Sequence, residues 1–260
     1  MRTSIQDLLK MKRDGQPIPV LTCYDYTSAK ILDSAEVPVL LVGDSLGMVV
    51  HGLESTLPVT LEMMLLHCKA VARGAKSALI VLDLPFATYS PADIPSSLCN
   101  AARCLAEGGA QAVKIEGGAR MAPVVAALVD SGIPVMGHVG LTPQSINQLG
   151  GYKVQGRDDK SKKRLLADCL ELEAAGAFGI VLELMPSELS AQISSRLKIP
   201  TIGIGAGKDC DGQVQVFHDL FGLFEDFVPK HTKRYAHFAD TMRDAARVYI
   251  GEVKTRKFPD

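Results

Sequence analysis

Residues 77–118 read SALIVLDLPFATYSPADIPSSLCNAARCLAEGGAQAVKIEGG. The apolar run SALIVLDLP (77–85) closes on Asp83 and Pro85. A helical stretch at Ala101–Ala110 runs into Glu107-Gly108-Gly109, and a second run, AQAVKIEGG (110–118), closes on Glu116 and two glycines. Short apolar runs bounded by Gly, Pro or Asp suit strands buried on both faces, as in a parallel sheet. Strand, helix, glycine, strand is one βα repeat, and the same punctuation continues in both directions. Upstream lie IPVLTCYD (18–25) and VPVLLVGDS (37–45), then a helical stretch at 60–74 ending in Arg73-Gly74. Downstream come GIPVMGHVG (132–140), AFGIVLELMP (177–186), IPTIGIGAG (199–207) and VQVFHD (214–219), with helices expected at Ala122–Asp130 and Lys162–Ala175.

Eight strands in 260 residues match a (β/α)8 barrel, with an open doubly wound sheet as the rival. The pattern predicts one domain over 1–260, with a long amphipathic helical segment at about 231–253 that carries Tyr235, Phe238, Met242, Ala246 and Tyr249. Long connections at Leu46–Pro58 and Leu141–Lys160 fall on the C-terminal face of such a barrel, where long loops serve as lids.

Composition narrows the functions. Twenty-eight basic against twenty-nine acidic residues leave a net charge of −1, with no excess to neutralise nucleic-acid phosphates or an anionic membrane. No stretch approaches the roughly 18 apolar residues of a membrane span, and the N-terminus has no signal-like apolar region. Six cysteines without a C-x-x-C pair read as reduced thiols of a cytoplasmic protein, mostly filling core.

Ionisable residues fall at a repeated position. Asp44, Asp83, Glu116, His138 and Glu183 end five consecutive apolar runs, and in a barrel those ends ring one mouth. Period-two geometry puts Lys114 and Glu116 on one face of their strand, which suggests an opposite-charge pair. Asp44, Asp83 and Glu116 are hard oxygen ligands suited to Mg²⁺, whereas none of the six His falls in an H-x-x-x-H pair that would favour zinc. The alternatives are structural: helix caps for Asp44 and Asp83, an interior ion pair for Lys114 and Glu116, and a core position for His138. Glu183, closing Ile180-Val181-Leu182, is the candidate general base, or else a structural partner of Arg196 or Lys198. Asp25 reads as a cap, and His51, His67 and His218 have no evident partner. IGIGAGK (202–208) fits neither a dinucleotide fingerprint nor a Walker loop. Such a site suits enolisation of a metal-chelated 2-oxo acid.

Longer strings are more specific. LLVGDSLGMVVHGLESTLPVTLEMMLLHCKAVARG, VLDLPFATYSP, AVKIEGG, PVMGHVGLTPQS, GGYKVQGRD, IVLELMP and TIGIGAGKDCDGQVQVFHDLFGL together resemble the ketopantoate hydroxymethyltransferase family along nearly the whole chain. The resemblance implies a (β/α)8 TIM barrel of the phosphoenolpyruvate/pyruvate-like superfamily that uses Mg²⁺. It implies transfer of a one-carbon unit from 5,10-methylenetetrahydrofolate to 3-methyl-2-oxobutanoate, giving 2-dehydropantoate for pantothenate synthesis through a Mg²⁺-stabilised enolate. Matched residue by residue, it makes Glu183 the proton acceptor and places Asp44, Ser45, Asp83, Lys114 and His138 at the substrate. Asp44, Asp83 and Glu116 are its metal-site residues, and a homodecamer using the C-terminal helix is its usual assembly. The folate is expected near the 46–58 and 141–160 loops. A related carbon–carbon lyase of the isocitrate-lyase kind is disfavoured because no Cys is followed by Gly, and a non-catalytic scaffold has no need of such an acid ring.

Overall fold

The structure, a computed structural model, describes residues 2–259. Its elements in chain order are α1 (Ile5–Arg13), β1 (Ile18–Thr22), α2 (Tyr26–Ser34), β2 (Val39–Val42), α3 (Leu46–Val49), α4 (Leu61–Gly74), β3 (Leu79–Asp83), α5 (Ile94–Ala106), β4 (Ala112–Glu116), α6 (Ala122–Asp130), β5 (Val135–Gly140), α7 (Ile146–Leu149), α8 (Asp159–Ala174), β6 (Gly179–Glu183), α9 (Ser187–Arg196), β7 (Thr201–Ile204), β8 (Gly212–Gln215), α10 (Phe217–Leu220) and α11 (Phe238–Lys254). The eight strands close in sequence order into a parallel barrel, so the open-sheet alternative falls.

The side-chain alternation of each strand sorts the barrel into an inside and an outside. Val39, Leu41, Leu79, Val81, Ala112, Met136, Val181 and Ile202 form one interior cluster, which Leu8 of α1 joins. The intervening residues, such as Leu40, Ile80, Leu82, Val113 and Ile115, are buried on the outward face. Two residues beyond the interior apolar positions on the same face come Asp83 after Val81, Lys114 after Ala112, His138 after Met136 and Glu183 after Val181. The apolar layers thus form the floor, and the charged residues stand on it at the C-terminal end.

Several boundaries differ from the sequence pattern. Helix α5 begins at Ile94 rather than Ala101, because Asp93 caps it by accepting from Ser96 N and Pro95 sits harmlessly in the first turn. The last strand is Gly212–Gln215, and Phe217-His218-Asp219 turns into a short helix. The C-terminal helix starts at Phe238, since residues 229–232 are held in a turn by Thr232 N donating to Pro229 O.

Contacts divide the chain into a unit reaching Val214 and a second from Gln215. In the second, Phe221 lies between Phe217 and Phe238, at ring-centroid distances of 4.7 and 5.4 Å. No residue of α11 is buried, although the helix carries Phe238, Met242, Val248, Tyr249, Ile250 and Val253. Among the described residues no helix is long and apolar enough to cross a membrane.

Four cysteines fill core, as their composition suggests. Burial pushes the thiols of Cys23, Cys68 and Cys104 up to about 12, and that of Cys169 higher still. Cys99 on α5 is the exposed one. A disulfide reagent added to native protein is expected to show a single fast thiol, and Cys99→Ser to abolish that phase. A fast phase that survives the substitution would show that the core opens readily.

Candidate active site

Each charged residue is delivered by a strand end, and strand register decides who meets whom. Asp83 and Lys114 are register partners across β3 and β4, as are Glu116 and His138 across β4 and β5. Lys114 Nζ accordingly lies 2.6 Å from Asp83 Oδ1, so its ion-pair partner is Asp83 and not Glu116. Glu116 instead accepts from Gln144 N at 3.0 Å and faces His138 Nδ1 at 3.5 Å. His138 Nε2 stands 3.1 Å from Glu183 Oε2, which makes His138, rather than Arg196 or Lys198, the partner of Glu183.

Asp44 lies two residues past β2 and is 5% exposed. It does not cap α3: the cap position belongs to Ser45, whose hydroxyl pairs with Tyr24 Oη at 2.9 Å. Asp44 N donates to Asp83 Oδ2 at 3.2 Å, so the two aspartates adjoin. Between them Gly43 leaves room that a side chain would take, because a Cβ there would sit 2.9 Å from Ser45 Oγ. Gly140 plays the same part beside Glu183. Its φ is +96°, and a Cβ there would strike the Glu183 carbonyl oxygen.

Burial and mutual repulsion set the electrostatics. Asp44 is pushed up to about 8, first by burial and then by the charges of Asp83 and Glu116. Burial also raises Asp83, against the pull of Lys114. Lys114 is raised despite burial, because Asp83, Glu116 and Asp44 surround it. Glu116 is lowered: its hydrogen bond to His138 and the nearby cations outweigh burial. Burial and Lys114 press His138 downward, but its contacts with Glu116 and Glu183 prevail and carry it to about 9. A histidine raised above its ordinary value stabilises the fold fully below about 6.5 and loses that contribution as pH climbs through about 9. The melting temperature is therefore expected to fall across that window in the wild type. His138→Gln should flatten the slope, and an unchanged slope would place the titration elsewhere.

Formally, four carboxylates (Asp44, Asp83, Glu116, Glu183) face two cations (Lys114 and protonated His138), an excess of two negative charges. Two adjoining buried aspartates whose ionisation is suppressed fit a divalent cation, which removes the cause of the suppression. Among the described residues no three His, Cys, Asp or Glu side chains form a ready-made cage. Asp44 and Asp83 are the adjoining pair, while Glu116 is engaged by Gln144 and His138. A hard ion held by two carboxylates, with its remaining positions left to water and substrate, is the Mg²⁺ pattern.

Three uncharged residues carry contacts that charge patterning does not reveal. Gln144 bridges Asp44 and Glu116, Tyr89 donates to Gln144 Oε1 at 2.7 Å, and Tyr24 holds Ser45. Asp25 caps α2 as expected, by accepting from Ser28 N. His67 Nδ1 lies 2.6 Å from Tyr24 O and must donate to it, so His67 Nε2 accepts from His51 Nε2 at 2.9 Å. That pair ties the loop after β2 to α4.

A closed parallel barrel with an acid-lined C-terminal mouth defines a class of barrel enzymes, and solved structures share its fold. Phosphonopyruvate hydrolase in complex with oxalate and Mg²⁺ superposes with a TM-score of 0.65 at 12% identity, covering 99% of this chain and 88% of the other. 2,3-Dimethylmalate lyase, a member of the PEP mutase/isocitrate lyase superfamily, gives 0.57 at 16% identity, covering 100% and 90%. At such identities the likeness is one of fold. The family is set by sequence: the family model Ketopantoate hydroxymethyltransferase matches residues 2–260. Proteins named 3-methyl-2-oxobutanoate hydroxymethyltransferase from Chloroflexus aggregans and Dehalococcoides mccartyi are 55% and 57% identical over the whole chain and 92% of their own length. The chain belongs to the ketopantoate hydroxymethyltransferase family and is an enzyme.

Proposed function

We infer that this enzyme transfers a hydroxymethyl group from 5,10-methylenetetrahydrofolate to 3-methyl-2-oxobutanoate, giving 2-dehydropantoate for pantothenate synthesis. The observation that carries the reading is the juxtaposition of a base and a charge-accepting set in one mouth. Glu183 pairs with His138, whose Nδ1 lies 3.2 Å from Lys114 Nζ, and Lys114 pairs in turn with Asp83, which adjoins Asp44. Asp44 and Asp83 would hold Mg²⁺, which would supply a Lewis acid for the negative charge that develops on the oxo acid. Lys114 and Ser45 orient the oxygens of the oxo acid, and Lys114 adds fixed positive charge where negative charge develops. Glu183 takes the C3 proton, with His138 Nε2 holding the carboxylate in place and stabilising its charge before transfer. Water adds to the methylene carbon of the folate, both of its C–N bonds break and tetrahydrofolate leaves. The nucleophilic C3 then bonds to the resulting aldehyde-level carbon, whose water-derived oxygen takes up a proton to become the hydroxyl.

The donor is assigned to the loops around the mouth. Supporting this, a cavity of about 440 Å³ lined by Gln148, Gln155, Arg164 and Asp168 also touches Gly117, next to Glu116 in the chain, and Thr142, two residues before Gln144. The unburied apolar face of α11 supports assembly into a homo-oligomer, which light scattering tests directly.

Proton NMR of 3-methyl-2-oxobutanoate in D₂O tests the chemistry. Mg²⁺-dependent loss of the C3–H signal is the expected result, and 2-dehydropantoate appears when methylenetetrahydrofolate is added. Neither exchange nor product with both present would overturn the assignment and favour a binding protein that does not turn over.

A further inference from the structure

Gln144 is uncharged, yet it is 6% exposed, and its side chain and backbone reach residues at the ends of three other strands. Leu141 is anchored by donating to Glu183 O at 2.9 Å, and Pro143 keeps Thr142 extended. The chain then turns back through residues 143–145 and directs Gln144 into the mouth. Its Nε2 donates to Asp44 Oδ2 at 2.9 Å and to Leu84 O at 3.0 Å. Its backbone N donates to Glu116 Oε2 at 3.0 Å. Its Oε1 accepts from Tyr89 Oη at 2.7 Å, and Tyr89 Oη in turn accepts from Glu116 N at 2.9 Å. The contacts close a ring from Glu116 through Tyr89 and Gln144 back to Glu116, with Asp44 held from its side. Both amide protons have acceptors, so the amide has one orientation.

We propose that Gln144 is a positioning residue that fixes the Asp44 carboxylate for the divalent cation, and that Tyr89 locks Gln144 in the orientation this requires. The proposal rests on the reading that Asp44 and Asp83 hold that cation. Residue type supports it. A Lys or Arg here would neutralise Asp44 and compete with the ion, and a Glu would set a third acceptor against Asp44 and Glu116. An Asn is one methylene too short to span Asp44 and Tyr89. A neutral double donor holds one carboxylate oxygen, Oδ2, without cancelling the charge that attracts the cation. The same contacts tie the start of the 141–158 loop to the ends of β2, β3 and β4, so ordering of that loop and formation of the cation site are one event.

The test is a titration of the apo protein with Mn²⁺, reading free Mn²⁺ by electron paramagnetic resonance without substrate. Gln144→Met keeps length and volume but removes the donors and acceptor, and should weaken Mn²⁺ binding about ten- to a hundredfold. Tyr89→Phe removes the lock on Gln144 together with the acceptor for Glu116 N, and should weaken it by about three- to tenfold, with the double variant close to Gln144→Met because the effect on the cation passes through Gln144. At saturating Mn²⁺ the KM for the oxo acid and kcat should return toward wild type, which a general loss of structure would not allow. Wild type that binds Mn²⁺ beside variants that bind it within twofold overturns the proposal alone. Wild type that binds no Mn²⁺ overturns the cation reading with it. If Gln144→Met does not fold, Tyr89→Phe gives the answer by itself.

Discussion

Glu183→Gln is expected to slow C3–H exchange and turnover by about 10²–10⁴-fold, the usual worth of a positioned general base. It should do so while Mg²⁺ and oxo-acid binding stay near wild type. Gln preserves the shape of Glu183, and its Oε1 keeps the place that Glu183 Oε2 now holds, 3.1 Å from His138 Nε2. What it loses is the lone pair basic enough to take a carbon acid's proton. A second readout follows from the same geometry. His138 is carried to about 9 in part by Glu183, so removing that charge should lower the imidazole's titration, as seen in its NMR chemical shifts. Exchange at the wild-type rate would remove Glu183 from the chemistry. Lost oxo-acid binding with no effect at saturation would reassign it to substrate orientation.

How much of this site was legible in the sequence depends on what kind of signal each residue leaves. Asp83, Glu116 and Glu183 are strand-terminal, so the end of an apolar run marks them, and a closed barrel brings such ends together. His138 was visible in the same way. Pairing was not, because it depends on stagger between strands: Lys114 and Glu116 share one strand face, yet register sets Lys114 against Asp83 and Glu116 against His138. Glu183 likewise meets a residue of the neighbouring β5, not the basic residues that follow it in the chain. Gln144 and Tyr89 were invisible for a different reason. They are neutral residues in loops, and only the closing of those loops over the mouth gives them partners. The helical stretch read at Ala101–Ala110 leaves out the first two turns of α5, where Asp93 caps the helix and Pro95 sits in a first turn whose N–H groups have no intrahelical acceptor.

Asp83→Ala should abolish divalent-cation binding and, separately, destabilise the fold, and the two effects can be pulled apart. Lys114 Nζ lies 2.6 Å from Asp83 Oδ1 with only 5% of its side chain exposed. Removing the partner strands that charge, and breaking a buried ion pair from one side costs about 3–5 kcal/mol. Asp44 and Glu116 still surround the ammonium, which places the expected loss near about 3 kcal/mol, read as a drop in denaturation midpoint. Asp83→Asn keeps an oxygen to accept from Asp44 N and should cost less stability, yet it removes the charge the cation needs. Adding Lys114→Met to Asp83→Ala replaces the broken pair with apolar volume and should recover most of the stability, because a buried ion pair and its apolar replacement are often close in energy. Cation binding should not recover. Calorimetric titration of Mg²⁺ into the three variants separates the cases: binding that returns with stability would mean Asp83 matters only for folding. Binding that stays absent in a fully folded double variant would place Asp83 at the metal.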